Sequence, residues 1–288
     1  MQHVHLHVAD GIVLDVASLR GEMISRTNGP PVFDDGRSYV MQISSAVVSM
    51  DMSSLQTLLN RFAFGYEGAP LKNVRVRNDG GRLEMKGTLH KGIDVPFSTK
   101  ASLSATPDGR MRLHVDSMKA VGIPAKGLLG LFGLELDDVV KLRQSRGIEV
   151  QENDIVIDPG EILPPPEMRG KLTRIELQGD RLSQIFGDAS GKHLPRLSPP
   201  DPSARNYIYF GGGDIRFGKL TMHGADLQLI DSDPRDPFEF SPPEYNKQLV
   251  AGYSKNTPSH GLKTYMPDID DVGRKPSART TPAGRPSR

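Results

Sequence analysis

Three histidines at the start of the chain, His3, His5 and His7, alternate with apolar residues and so share one face of a predicted strand. Imidazole is a common ligand of divalent metals, and a pair spaced i, i+2 at a strand end suits a metal-dependent hydrolase. The other interpretation is an ordinary solvated strand face. We favour the second and predict no bound metal, because the remaining histidines are scattered along the chain, at His90, His114, His193, His223 and His260.

Other motifs with possible chemistry fit structural roles. Gly211, Gly212 and Gly213 follow one strand pattern and precede another, whereas a phosphate-binding loop requires a helix behind it. The chain has no cysteine, which excludes disulfides, thiolate metal sites and a cysteine nucleophile. It also has no G-x-S-x-G motif. The sequence therefore predicts no catalytic residue, no cofactor and a protein that is not an enzyme.

The composition limits the class of partner. The chain has 288 residues with 36 Lys+Arg and 35 Asp+Glu, a net charge of +1. A dedicated nucleic-acid-binding protein usually has a concentrated basic surface, so we expect no nucleic-acid partner. No apolar stretch approaches the roughly 20 residues that span a bilayer, and the first residues do not resemble an export signal. As written, the sequence predicts a cytoplasmic protein, or a periplasmic or envelope-associated one if the N-terminus is truncated.

Alternation of apolar and polar residues dominates the chain and predicts β-strands. Four strands with intervening turns are expected between Val74 and Val115. A different period, with apolar residues at Leu55, Leu58, Leu59 and Phe62, predicts an amphipathic helix capped by Ser53 and Gln56. A second, Leu-rich helix is predicted over residues 121–142, and one further helical turn over Leu182 to Phe186.

These elements divide the chain into four parts. Residues 1–187 form the main domain, residues 188–204 a Pro- and Ser-rich linker, residues 205–272 a β-hairpin extension that packs on the first domain, and residues 273–288 a disordered basic tail. The predicted fold class is α+β, a curved antiparallel sheet wrapped on two amphipathic helices. Basic residues of the tail could bring the protein to an anionic membrane surface.

The order of elements, and the segments Leu71–Gly87, Pro107–Val115 and Gly147–Asp158 in particular, resembles the bacterial LmeA-like phospholipid-binding proteins, which are related to the TULIP lipid-binding superfamily. The resemblance covers about residues 1–187 and implies an apolar lipid groove between sheet and helices. Export signals are absent, and residues 205–272 have no counterpart in that family. The resemblance implies non-enzymatic binding of a lipid or another hydrophobic ligand. The residues expected to line the groove are Leu55, Leu58, Phe62, Phe97, Leu103, Leu128, Leu131 and Phe132.

Two alternatives remain at this point. The same apolar residues would equally suit a structural or interaction protein with a solid core and no ligand. A metal-dependent hydrolase that uses His3, His5 and His7 is the second alternative.

Overall fold

The computed structural model describes residues 1–91, 93–120, 147–187, 201 and 203–273. Within these ranges nineteen strands form two large sheets and one small hairpin. The larger sheet has eleven strands, with the order β11-β12-β3-β2-β1-β13-β16-β19-β18, while β10 pairs with β3 and β17 with β1. Its strands are β1 Gln2–Ala9, β2 Ile12–Ser25, β3 Tyr39–Asp51, β10 Glu167–Arg169, β11 Leu172–Gln178, β12 Arg181–Gly187, β13 Tyr207–Gly211, β16 Asp226–Asp231, β17 Phe238–Phe240, β18 Tyr253–Asn256 and β19 Leu262–Met266.

The second sheet is antiparallel throughout and has six strands, in the order β4-β5-β6-β7-β9-β8. Its strands are β4 Leu71–Asp79, β5 Arg82–Lys91, β6 Ile93–Ala105, β7 Met111–Ala120, β8 Ile148–Gln151 and β9 Asp154–Ile157. The first four confirm the four strands predicted from alternation. Charged residues such as Arg75, Lys86 and Arg112 lie on the solvent side, as expected when one face of an antiparallel sheet is buried.

The prediction of a sheet wrapped on two amphipathic helices is wrong. Strands dominate the described residues, and the helices there are short. They are α1 Met52–Leu58 with a π-helical turn Leu59–Ala63, α2 Pro159–Ile162, α3 Tyr245–Ala251 and a 3-10 turn Ile269–Asp271. The cap of α1 also differs from the prediction: the Asp51 carboxylate accepts from the Ser54 backbone N–H at 2.6 Å, and Ser53 donates to the same carboxylate. The second predicted helix lies outside the described residues.

The helical turn predicted at Leu182 to Phe186 is also wrong, because this segment is strand β12. Leu182, Gln184 and Phe186 are buried while the residues between them are half-buried. This alternation has a period of two, and β12 is held on both sides by β11 and β3. Pairing on both edges decides the structure of this short segment more strongly than its local pattern does.

One apolar core joins the two sheets and α1. Leu14 and Val48 from the large sheet, Leu58 from α1 and Leu83 from the second sheet are all buried in it. The segment 205–272 contributes to the same core, because β13 pairs with β1 and buries Ile208. The C-terminal strands therefore continue the large sheet.

An aromatic cluster fixes the segment 26–37 to the C-terminal part of the fold. The Phe33 ring lies 4.8 Å from that of Phe217, 5.2 Å from Tyr245 and 5.6 Å from Phe210. The Phe33 backbone N–H donates to the Arg216 carbonyl at 2.8 Å. Arg216 belongs to β14 Asp214–Phe217, which forms a hairpin with β15 Leu220–His223. This small hairpin and the 26–37 segment thus form one unit.

Candidate binding groove

A groove on the large sheet lies between β2 and β13. Strand β1 separates these two strands where Gln2 pairs with Ser18 on one side and Tyr207 on the other. Past this pairing, β2 and β13 border the groove, which has a volume of about 1450 Å³.

The groove is wide and has walls of mixed polarity. Its volume exceeds the roughly 300–1,000 Å³ of ordinary small-molecule sites. Leu19, Met23, Met41 and Val47 supply apolar surface on one wall. The opposite wall carries Tyr207, Tyr209 and Phe210, together with the turn at Gly212 and Gly213. Both glycines have positive φ, 77° and 64°, and connect β13 to the β14–β15 hairpin, which accords with the structural role predicted for them.

The 26–37 segment contributes part of the groove wall. Asn28, Gly29, Pro30 and Pro31 line the groove, and they directly precede Phe33 with its aromatic contacts. Tyr245 of α3 donates a hydrogen bond to the Asp34 carboxylate. The shape of this wall therefore depends on the aromatic cluster behind it.

Of the residues predicted to line a lipid groove, the five in the described ranges do not line the groove between β2 and β13. Leu55, Leu58 and Phe97 are buried in the core and Leu103 packs half-buried against it, whereas Phe62 is 38 % exposed beside the Arg61 guanidinium. Leu55 and Leu58 border a core cavity of about 50 Å³, which is space for a few water molecules. Leu128, Leu131 and Phe132 lie outside the described residues. The Gln184 side chain reaches the same cavity, and its Oε1 atom has no hydrogen-bond partner among the described residues.

The N-terminal histidines belong to a polar row on the large sheet. His5 Nδ1 lies 2.5 Å from Glu239 Oε1, and His7 Nε2 lies 2.5 Å from Glu239 Oε2. Burial pushes the pKa of Glu239 upward, but the hydrogen bonds with His5 and His7 outweigh it and lower the pKa to about 2. The hydrogen bond with Glu239 raises the pKa of His5. His3 is exposed, with φ at 47°.

On the other side of His5, its Nε2 lies 3.9 Å from Asp15, and Asp15 pairs with Arg181. The row thus joins β17, β1, β2 and β12 by alternating charges. Within the described ranges, no group of three or more His, Asp or Glu side chains is arranged to hold a metal ion.

A cluster of buried acidic residues is in contact with this row through the backbone of Glu239. Asp231 and Asp268 are both buried. Asp268 accepts from the Glu239 backbone N–H at 2.8 Å, and Asp231 accepts from Asn206 Nδ2 at 3.0 Å. Burial raises the pKa of Asp268 to about 7, with further repulsion from Asp231, Asp236 and Glu239, and burial raises the pKa of Asp231 to about 6. Both groups are inside the fold, so they bear on stability more directly than on ligand binding.

Comparison with protein-family models, curated proteins and solved structures finds no match. The resemblance to LmeA-like proteins therefore stays a prediction. Across the described ranges, no helix combines the length and the apolar character that crossing a bilayer requires.

Sequence reasoning missed the groove itself. Its walls come from β2, β3 and β13, which are distant in the sequence, so its position is a matter of long-range register.

Proposed function

We propose that this protein is a non-catalytic binding protein that holds an elongated ligand in the groove between β2 and β13. The observation that carries the proposal is the groove of about 1450 Å³ between β2 and β13. The core between the sheets, in contrast, offers only about 50 Å³. A binding site in the described part of the fold is therefore best sought at the sheet surface.

The groove walls suit a ligand with both apolar and hydrogen-bonding groups. Met23 and Met41 are flexible and polarizable, and such side chains adapt to ligands of variable shape. Tyr207 and Tyr209 offer an apolar ring together with a hydroxyl group. Ser44 and Ser45 add polar groups on β3. The wall composition supports an elongated amphipathic ligand.

Lipid is one class of occupant, and the methionine-rich wall favours it. An acyl chain lying along Leu19, Met41 and Val47 would gain roughly 0.8 kcal/mol of binding free energy for each methylene group that it buries. The histidines of the described residues support a role without catalysis. His5, His7, His90, His114 and His223 each contact a carboxylate, in pairs that hold neighbouring strands or turns together.

Titration with the fluorescent dye 1-anilinonaphthalene-8-sulfonate tests the groove. We expect saturable binding, and we expect the substitution Met23→Arg to weaken it at least about tenfold, equivalent to ~1.4 kcal/mol. The reason is that Met23 is half-buried on the groove wall, where a guanidinium would displace apolar surface. The same titration with a fluorescent long-chain fatty acid measures the lipid class.

Val250→Arg is the matched control, because Val250 is 86 % exposed and lies outside the groove lining. This variant should bind the dye like the wild type. Equal dye binding by wild type and Met23→Arg, with circular dichroism showing that both are folded, would contradict the proposal.

A further inference from the structure

The solvent face of the second sheet carries a group of basic side chains. Lys72, Arg75 and Arg77 of β4 and Lys86 of β5 are all exposed there, and we call these four residues the basic face. Arg75 lies directly opposite Lys86 in the β4–β5 register, and Arg75 has no ion-pair partner among the described residues. Like charges placed opposite each other on a sheet repel, so an anion bound over this pair would relieve the repulsion.

The acidic residue inside the basic face is covered by its neighbours. Glu84 accepts a hydrogen bond from Arg77 Nε, and its other carboxylate oxygen lies 3.4 Å from Lys86 Nζ. Glu84 is buried, whereas Arg77 and Lys86 remain exposed above it. At the border of the group, the Asp79 carboxylate is paired with Lys100. The basic face therefore presents an excess of positive charge to solvent.

One end of the basic face lies beside an exposed apolar residue. Ile93 begins β6 at the tight turn from β5, and 65 % of it is exposed. The strand register places Lys72 about 10 Å and Lys86 about 17 Å from this turn. The Asp94 carboxylate next to Ile93 lies 2.5 Å from His90 Nδ1. The tip of the β5–β6 hairpin thus combines an apolar side chain with basic side chains along one flank.

We propose that this end of the second sheet is a docking surface for an anionic phospholipid membrane, with Ile93 inserted among the lipids and the basic face on their headgroups. The inference goes beyond the proposed function and does not depend on the groove. Reversible binding to a membrane surface combines buried apolar area with electrostatic attraction to anionic lipids. Each Lys or Arg close to such a surface strengthens binding roughly fivefold.

A nucleic acid fits this surface less well than a membrane does. The one Phe, Tyr or Trp residue in β4, β5 and β6 is Phe97, and it is buried. Proteins that bind single strands stack the bases on exposed aromatic side chains, and the major groove of duplex DNA admits a helix or a two-stranded ribbon. An exposed isoleucine serves neither purpose, but it suits the apolar interior of a bilayer.

Flotation of the full-length protein with lipid vesicles tests the electrostatic part. We expect saturable binding to phosphatidylcholine vesicles that contain phosphatidylserine, weakened by added salt, and no binding to phosphatidylcholine alone. Arg75→Glu should weaken binding at least about fivefold. Because this variant replaces a repulsive cross-strand pair by an attractive one, its melting temperature should equal or exceed that of the wild type. Weaker binding would then not result from unfolding.

The matched control is Arg235→Glu, which changes the net charge by the same amount. Arg235 is exposed, pairs with Asp233 and lies outside the second sheet. This variant should bind the vesicles like the wild type.

Tryptophan fluorescence tests the insertion of the hairpin tip. The chain has no tryptophan, so Ile93→Trp introduces a single reporter. Its emission should shift to shorter wavelength when vesicles containing phosphatidylserine are added, because the indole leaves water. Val250→Trp is the control, since Val250 is exposed and lies in α3, away from the hairpin. Its emission should stay unchanged.

Four results would overturn the inference. They are absence of vesicle binding, equal binding to vesicles with and without phosphatidylserine, wild-type binding by Arg75→Glu, and unchanged emission of Ile93→Trp in vesicle-bound protein. Labelled single-stranded and duplex oligonucleotides provide the comparison with nucleic acid. Binding of an oligonucleotide without binding of vesicles would assign the basic face to nucleic acid and overturn the membrane.

Discussion

Replacing Asp268 by asparagine should raise the melting temperature at pH 8 by about 5–10 °C and leave it almost unchanged at pH 4. The Asp268 carboxyl is buried, and burial raises its pKa from 3.8 to about 7. In the unfolded chain the same carboxyl loses its proton near pH 4. Between these pH values the folded state binds more protons than the unfolded state, so stability falls as the pH rises from about 4 to 7.

The expected gain in stability follows from the difference between the pKa of Asp268 in the folded state and its pKa in the unfolded chain. A shift from 3.8 to about 7 corresponds to about 4 kcal/mol at most, and relaxation around the charge reduces it to about 2–3 kcal/mol. Asparagine retains the Oδ1 acceptor for the Glu239 backbone N–H, and it removes a negative charge beside Asp231 and Asp236. The wild type should therefore lose stability between pH 4 and 8 in a way that Asp268→Asn does not.

Thermal unfolding followed by circular dichroism at pH 4 and pH 8 measures this difference. The matched control is Asp233→Asn, because the hydrogen bond from Arg235 lowers the pKa of Asp233. Removal of that charge should give no gain in stability at pH 8. If the wild type and Asp268→Asn showed the same pH dependence, Asp268 would ionise as an ordinary solvated carboxyl.

Much of the fold could be predicted from local sequence patterns. The rest depends on pairing between residues that are far apart in the sequence. The alternation in Val74–Val115 was sufficient to predict β4 to β7, because each of these strands pairs with its neighbour in sequence. The spacing of Leu55 and Leu58 likewise predicted α1. The fold class was wrong because strands dominate the described residues and the helices there are short. Leu182–Phe186 and the C-terminal strands add to the large sheet by pairing with partners far away in the sequence.

The candidate site was harder to predict for the same reason. Glu239 meets His5 across 234 positions, and no local signal connects them. The groove is formed by β2, β3 and β13, which are distant in the sequence, so its position becomes visible only when the register Gln2–Ser18 and Gln2–Tyr207 is known. The sequence predicted that Leu55, Leu58 and Phe97 are apolar contacts but could not show whether they line a groove or fill a core.

Substitution of Phe33 by alanine should destabilise the protein by about 2–3 kcal/mol and weaken binding in the groove. Loss of a fully buried phenylalanine costs about 3–5 kcal/mol, and Phe33 is half-buried. Its ring contacts Phe210, Phe217 and Tyr245 at centroid distances of 4.8 to 5.6 Å. These contacts hold the wall formed by Asn28–Pro31, so the wall should lose its fixed position when the ring is removed.

Urea unfolding measures the first effect, and titration with 1-anilinonaphthalene-8-sulfonate measures the second. Phe33→Leu keeps apolar volume but loses the edge-to-face contacts, so its stability should lie between those of the wild type and Phe33→Ala. Phe62→Ala is the control, because Phe62 is 38 % exposed and remote from the groove lining, and we expect a loss below about 1 kcal/mol. If Phe33→Ala lost stability but bound the dye like the wild type, the aromatic cluster would support the fold without shaping the groove wall. That result would assign the binding surface to β2 and β13 alone, whose positions are fixed independently by β3 and β16.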